Sequence, residues 1–350
     1  MTSRERIEAV IKGCEPDRIP IVPFSSPWIM NYGGTKFIEC LEKPDRFIQA
    51  TMKFIEDFGP DMVSDFIGYG AVIEAVGASL AVTEYESPTI PEKLLIHSLD
   101  DVKALKPMDL TCGKIPFLLS LMTDLRKTVP EEIPVIGRLG TPFRGGNLIR
   151  GVDNFMMDMI TDPDLIHALM DYLTDQYLTY GKGLVDAGAD AILLTNPHAN
   201  ATVISRKQYE TFSHPYIKRL ITGLKEMGTI VVFHTCGKWN DRLDLVIEEG
   251  ADIYFTDDVD MNEAKRLMGS RGAVMGNVNV VQTMLQSGRD EVFQEARRCI
   301  ESTAASGRFI LSGNCFLPRD VPVENVRALF EAGQQFGRYP LELFGGQVSS

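Results

Sequence analysis

"DAILLTNPHANATVISRKQYETFSHPYIKRLITGLKEMGTIVVFH", residues 190–234, decides the fold. It opens on a short apolar run that stops at Asn196. It then passes into "YETFSHPYIKRLITGLKEMG" (209–228), whose apolar residues recur at helical spacing and end on a glycine suited to a helix C-terminus. A second apolar run, "TIVVFH" (229–234), follows at once. Two strands separated by a helix are too far apart for a hairpin and read as a parallel β-α-β unit.

The same rhythm extends in both directions. Strand-like runs fall at "RIPIVPF" (18–24), "DMVSDF" (61–66), "PVIGRL" (134–139), "DAILLT" (190–195), "TIVVFH" (229–234), "DIYFT" (252–256), "GAVMGN" (272–277) and "RFILSG" (308–313). Between them lie helical patterns such as "KPDRFIQATMKFIEDFG", "DPDLIHALMDYLTDQYLTYGKGLVDAG" and "RDEVFQEARRCIESTAASG". Eight strands alternating with helices predict an α/β protein, a single TIM (β/α)8 barrel over residues 1–342. Residues 67–133 break the rhythm and read as an insertion after the second strand, with "LAVTEYES" (80–87) as a small strand or hairpin. Residues 343–350 read as a flexible tail.

Composition agrees with one sizeable buried core: 44% of the 350 residues are apolar and 24% charged. A formal net charge of −13 without clustered Lys and Arg argues against a nucleic-acid partner. No window approaches the roughly 20 apolar residues of a membrane span, and "MTSRERIEAVIKG" is a charged amphipathic start, so a cytoplasmic protein with no membrane role is expected. The six cysteines, 14, 40, 112, 236, 299 and 315, are too scattered for a disulfide framework.

In a barrel of this kind chemistry sits on the loops after the C-terminal ends of the strands. Those ends carry Ser25 and Ser26, Asp65, Arg138 and Arg144, Asn196 and His198, His234 and Cys236, Asp257 and Asp258, Asn277 and Asn279, and Asn314 and Cys315. His234 and Cys236 are two apart, so extended backbone turns both side chains to one face. Cys315 also follows a strand, and the barrel brings distant strand ends to one rim. One imidazole and two thiols with an open fourth position are what a catalytic zinc needs, and no Cys-x-x-Cys knuckle of a structural site occurs. The same three residues also read as a satisfied core histidine and two buried small hydrophobes. Asp65 reads equally as a helix cap and as a group facing a ligand at the barrel mouth. "DDVD" (257–260) reads as a helix entry with one functional member, and lacks the Gly and Glu of a calcium loop. His198 and His214 are candidates for ligand contact. Cys14, Cys40, Cys112, Cys299, His97 and His167 receive no role.

"ERIEAVIKGCEPDRIPIVPF", "VSDF", "GTPFRGGNLIRG", "GADAILLTNPHANATVISRKQYETFSHPYIKRL" and "GNVNVVQTML" together resemble the uroporphyrinogen decarboxylase superfamily over essentially the whole chain. That resemblance implies a TIM barrel and two branches: the decarboxylase of haem synthesis, and zinc-dependent, corrinoid-linked methyltransferases that include the methylcobamide:coenzyme M enzymes. The decarboxylase branch carries an "RQAGRY"-like stretch after its first strand and a "GHG"-like turn after its last, where this chain has "PFSSPWIMNYGG" and "GNC". The methyltransferase branch carries His-x-Cys and a later Cys, matched by "HTC" and "GNC", which implies zinc ligation by His234, Cys236 and Cys315. Asp65 matches the decarboxylase aspartate, but a tetra-acid porphyrinogen needs cations around its carboxylates.

The reading favoured is therefore a zinc-dependent methyltransferase. It would move a methyl group between a methylcobamide, carried on a small corrinoid-binding partner protein, and a small substrate, most simply a thiol such as coenzyme M. Asp65 and His198 are the expected catalytic residues. Arg138, Arg144, Asn196, Asn277 and Asn279 are the expected substrate contacts, with either arginine able to meet a sulfonate. The alternatives are uroporphyrinogen decarboxylation and the opposite half-reaction, in which a methyl donor charges the corrinoid. Zinc between two thiolates and an imidazole has no net charge and keeps a bound thiolate nucleophilic, whereas two thiolates blunt the Lewis acidity a hydrolase needs.

Overall fold

The computed structural model describes residues 1–341 except 67, 69, 82, 86–92 and 306. Seven strands, β1 (Val63–Ser64), β2 (Val135–Leu139), β3 (Ala191–Thr195), β4 (Ile230–Lys238), β5 (Ile253–Asp258), β6 (Ala273–Val278) and β7 (Phe309–Gly313), pair in chain order in one sheet. Every pairing is parallel. Helices fill the crossovers, so the architecture is α/β and TIM-barrel-like.

Among the described residues the sheet has seven strands where eight were expected. Residues 18–24 make only an isolated parallel bridge, Ile21 to Leu311. Pro20 and Pro23 supply the physical reason, since neither can donate to a ladder. The segment nevertheless lies along β7: Leu311 N donates to Pro20 O at 2.9 Å and Val22 N to Leu311 O at 2.9 Å. On its other side Asp61 N donates to Ile21 O at 3.0 Å, just before β1.

Strand alternation divides the core in two. Ile136, Ala191, Leu193, Val232, Ile253, Phe255, Ala273, Met275 and Ile310 form the inner cluster with Val22 and Phe24. Ile7 and Val10, from the helix Ser3–Lys12, plug its N-terminal end. The residues between them, such as Ile192, Leu194, Val231, Phe233 and Tyr254, face the helices. This parity places the site: His234 and Cys236 continue the inward row of Val232, Asp257 that of Phe255, Asn277 that of Met275, and Arg138 that of Ile136.

Between β1 and β2, where an insertion was expected, lie the helices Ala71–Ala75, Leu99–Ala104 and Ile115–Thr128. The hairpin expected over 80–87 falls partly on residues outside those described, and the tail 343–350 lies wholly outside them. The single helix expected over 209–228 is two, Arg206–Phe212 and His214–Glu226. Pro215 explains the break, because proline fits a helix's first turn and not its interior.

Candidate metal centre

β4 loses its register with β5 between Thr235 and Lys238. Gly237 occupies this irregularity at φ +86°, a left-handed conformation that favours glycine. The bend leaves Cys236 on the rim, beside His234 and facing Cys315, which follows β7. His234 Nε2 lies 3.4 Å from Cys315 Sγ. The ligand atoms of His234, Cys236 and Cys315 all lie within 4.8 Å of one another, so the three residues form a candidate metal site. Around a tetrahedral zinc with Zn–S of about 2.3 Å and Zn–N of about 2.0–2.1 Å, ligand atoms lie roughly 3.5–3.8 Å apart. The His234–Cys315 edge is already near that length, and the donor set fits zinc.

The histidine is oriented from behind. Its Nδ1 is 3.0 Å from Phe255 O, and a carbonyl can only accept, so Nδ1 carries the proton and Nε2 presents a lone pair to the site. His234 is buried against Phe255 at 4.2 Å and Phe316 at 5.4 Å between ring centroids. Trp239 Nε1 donates to Cys236 O at 2.9 Å. The hydrogen bond from Cys315 holds the Cys236 thiol well below its ordinary range, while sharing that proton with Cys236, together with burial, pushes Cys315 up. The two thiols are thus coupled, with Cys236 the more acidic of the pair.

Three expected residues border this cluster. Arg144, whose Nη1 donates to Thr195 Oγ1 at 3.1 Å, acts electrostatically on both Cys236 and His198. His198, in the short turn Pro197–Ala199, has its pKa lowered by burial and by Arg144, and its buried Nδ1 has no hydrogen-bond partner. Arg138 lies with its guanidinium 4.9 Å from the ring centre of Phe316 and donates from Nη2 to Ser64 Oγ at 3.0 Å.

Asp65 lies on the far side of Arg138. Its Oδ2 accepts from Arg138 N at 3.2 Å, its Oδ1 is 3.8 Å from Arg138 Nε, and burial pushes its pKa to about 8 against the pull of Arg138. Burial thus favours its neutral form over the carboxylate.

The remaining candidates bind the scaffold. Asn196 joins Thr141 to Ser213 and is fully buried. Asn277 Nδ2 donates to Asp257 O at 2.8 Å. Asn279 Oδ1 accepts from Val281 N and Gln282 N, the pattern of a turn cap. Ser25 Oγ caps the helix Ser26–Tyr32, and Ser26 Oγ donates to Asp65 O. In "DDVD" Asp260 caps the helix Met261–Met268, whereas Asp257 bonds Gly237 N and Asn314 Nδ2. His214 lies away from the rim, 3.0 Å from the buried Glu249. Sequence reading missed Phe255, Phe316 and Thr195, which support the site; the period of two that points His234 inward also points Phe255 and Thr195 inward.

Known proteins resemble this chain over most of its length. Residues 2–336 match the family model described as Uroporphyrinogen decarboxylase (URO-D). A methylated-thiol–coenzyme M methyltransferase of Methanosarcina mazei is 30% identical over 220 residues, 63% of this chain; the match spans 58% of that relative's length. The methylcobamide:CoM methyltransferase MtbA of Methanosarcina mazei is 23% identical over 96% of this chain and 98% of its own. A uroporphyrinogen decarboxylase of Myxococcus xanthus is 27% identical over 87% of both chains. Among solved structures, a methyltransferase from Methanosarcina mazei superposes with a TM-score of 0.82 at 23% identity, over 96% of this chain and 99% of that one. Among the described residues no helix is long and apolar enough to cross a membrane. With all but the first residue and the last fourteen inside the family match, the chain belongs to the uroporphyrinogen decarboxylase (URO-D) family.

Proposed function

We propose that this chain is a zinc-dependent methyltransferase moving a methyl group between a methylcobamide and a thiol such as coenzyme M. The observation that carries the reading is the meeting of His234, Cys236 and Cys315 within 4.8 Å at the strand ends. Bound there, zinc supplies a position at which a substrate thiol is held as its thiolate near neutral pH. The chain's own residues do the rest. Phe255 O fixes the ring of His234, and the Phe255 and Phe316 rings keep water from its faces. Arg144 gives the anionic end of the thiol a countercharge beside Cys236, and His198 lines the same side. Asp65 accepts from Arg138 N and lies beside the Arg138 guanidinium, which stands over Phe316. The transfer replaces a cobalt–methyl bond by a sulfur–methyl bond, and the thiol proton leaves to solvent. The corrinoid is too bulky for a narrow pocket and is carried by a small partner protein that docks at the barrel mouth. Residues 18–24, hydrogen-bonded to β7 and to Asp61, act as the eighth stave of a (β/α)8 barrel.

The test is methyl transfer from free methylcobalamin to a panel of thiols, followed by loss of the methyl-cobalt absorbance. Coenzyme M or a related anionic thiol should be methylated. Turnover with none of the thiols, but with ethers or amines as donors to a reduced corrinoid, would transfer the assignment to the opposite half-reaction. A second reading, uroporphyrinogen decarboxylation, is favoured by Asp65, a carboxyl buried beside Arg138 with its pKa raised by that burial.

A further inference from the structure

Asp257 links the two loops that carry the thiols. Its Oδ2 accepts from Gly237 N at 2.8 Å, next to Cys236, and its Oδ1 accepts from Asn314 Nδ2 at 2.6 Å, next to Cys315. Each partner is fixed in turn. Asn314 Oδ1 accepts from Val280 N at 2.9 Å, so its amide must point its NH2 at Asp257. Asn277 Nδ2 donates to Asp257 O at 2.8 Å and holds the backbone of the carboxylate. Asp257 is not among the residues whose ligand atoms cluster at the site.

We infer that Asp257 is a positioning residue: one carboxylate, bonded to Gly237 and Asn314, sets the separation of Cys236 and Cys315 and so preforms the two-thiol half of the site. The inference rests on the metal reading only for its consequence in metal affinity. The position demands two acceptor oxygens on Asp257 and a donor on Asn314, so neither residue can change alone without placing donor against donor or acceptor against acceptor. Exchanging them can succeed. In the double variant D257N/N314D, the new amide at 257 accepts from Gly237 N through its oxygen and donates to the new carboxylate at 314, which still accepts from Val280 N. All three bonds are restored with the polarity of one reversed.

The experiment uses the full chain and its two single and one exchanged variants, with unfolding temperature as a check on folding. Zinc affinity is measured by chelator competition. In the metal-free chains, the rate of Cys236–Cys315 disulfide closure under diamide, a two-electron thiol oxidant, is followed by peptide mapping. Each single change should weaken zinc by about ten- to a hundredfold, as loss of a supporting group around a metal ligand does. Each should also slow disulfide closure, and the exchange should recover most of both. Unchanged closure in the single variants, or an exchanged variant no better than the singles, overturns the assignment. A wild-type chain that binds no zinc but shows the slowed and rescued closure sinks the metal reading and leaves the clamp supported.

Discussion

His234 Nε2 and Cys315 Sγ lie 3.4 Å apart although 81 residues separate them in sequence. Nothing local brings them together. The contact exists because β4 and β7 are staves of one sheet whose inward rows end at the same rim, with Phe255 O turning the imidazole's lone pair toward the thiol.

That contact sets the first expectation, about one zinc ion per chain, measured by elemental analysis of the purified protein. Cys236→Ala and Cys315→Ala should each lose most of the metal while keeping the far-ultraviolet dichroism of the parent. Full zinc occupancy in both variants would remove the site from the account.

Uroporphyrinogen should not be a substrate. The helix Ser26–Tyr32 that follows the first strand segment contains no arginine, and a tetra-acid needs several cations within reach. Anaerobic incubation with uroporphyrinogen, read by chromatography for coproporphyrinogen, should match the protein-free control. Enzyme-dependent product, lost in Asp65→Asn, would install the decarboxylase reading instead.

How far these features were legible in the sequence follows from what each depends on. Strands β1 to β7 were readable because apolar runs bounded by turn residues report burial directly. The pairing of His234 with Cys236 on one face was readable because the period of two in "VVFHTC" is a local property. The segment 18–24 reads as a strand by hydropathy, but Pro20 and Pro23 reduce it to a bridge. Asn196 and Asn279 were expected as substrate contacts from their positions at strand ends; their side chains also bond Thr141, Ser213 and the turn after β6, partners that only the packed structure supplies. Asp257 could not be singled out from Asp258 and Asp260 by composition. Its role depends on Gly237, near the end of β4, and Asn314, in the loop after β7, reaching it.

Stability should fall as the pH rises through neutrality, and Glu249 should be a main cause. Burial pushes its carboxyl to about 7, with Tyr209 and His214 bonding the same oxygen and Oε2 left without a partner. The folded chain therefore binds this proton more tightly than an unfolded chain, whose glutamate titrates near 4.3. The contribution is complete below about pH 4 and is lost as pH rises through about 7, a difference on the order of 3 kcal/mol. Glu249→Gln stays neutral throughout, so its melting temperature should gain on the wild type between pH 5 and pH 8. Parallel melting profiles across that range would show that the buried carboxyl does not titrate as its surroundings imply.

Arg144 should decide which thiol is used. It acts on both Cys236 and His198 beside the candidate metal site, with one guanidinium nitrogen fixed by Thr195. A sulfonate or carboxylate at the far end of a short thiol would meet that charge while its sulfur reaches the rim between Cys236 and Cys315. A charge-assisted hydrogen bond of this kind contributes about 1.5–3 kcal/mol, so Arg144→Gln should raise KM for coenzyme M roughly tenfold to a hundredfold with kcat nearly unchanged. The same variant should treat an uncharged thiol such as 2-mercaptoethanol as the wild type does, because that substrate never used the cation. Equal losses for charged and uncharged thiols would mean that Arg144 serves Cys236 and not the substrate, and the anionic end would have to be sought at Arg138. Zinc content measured on the same samples separates these outcomes from simple loss of the metal.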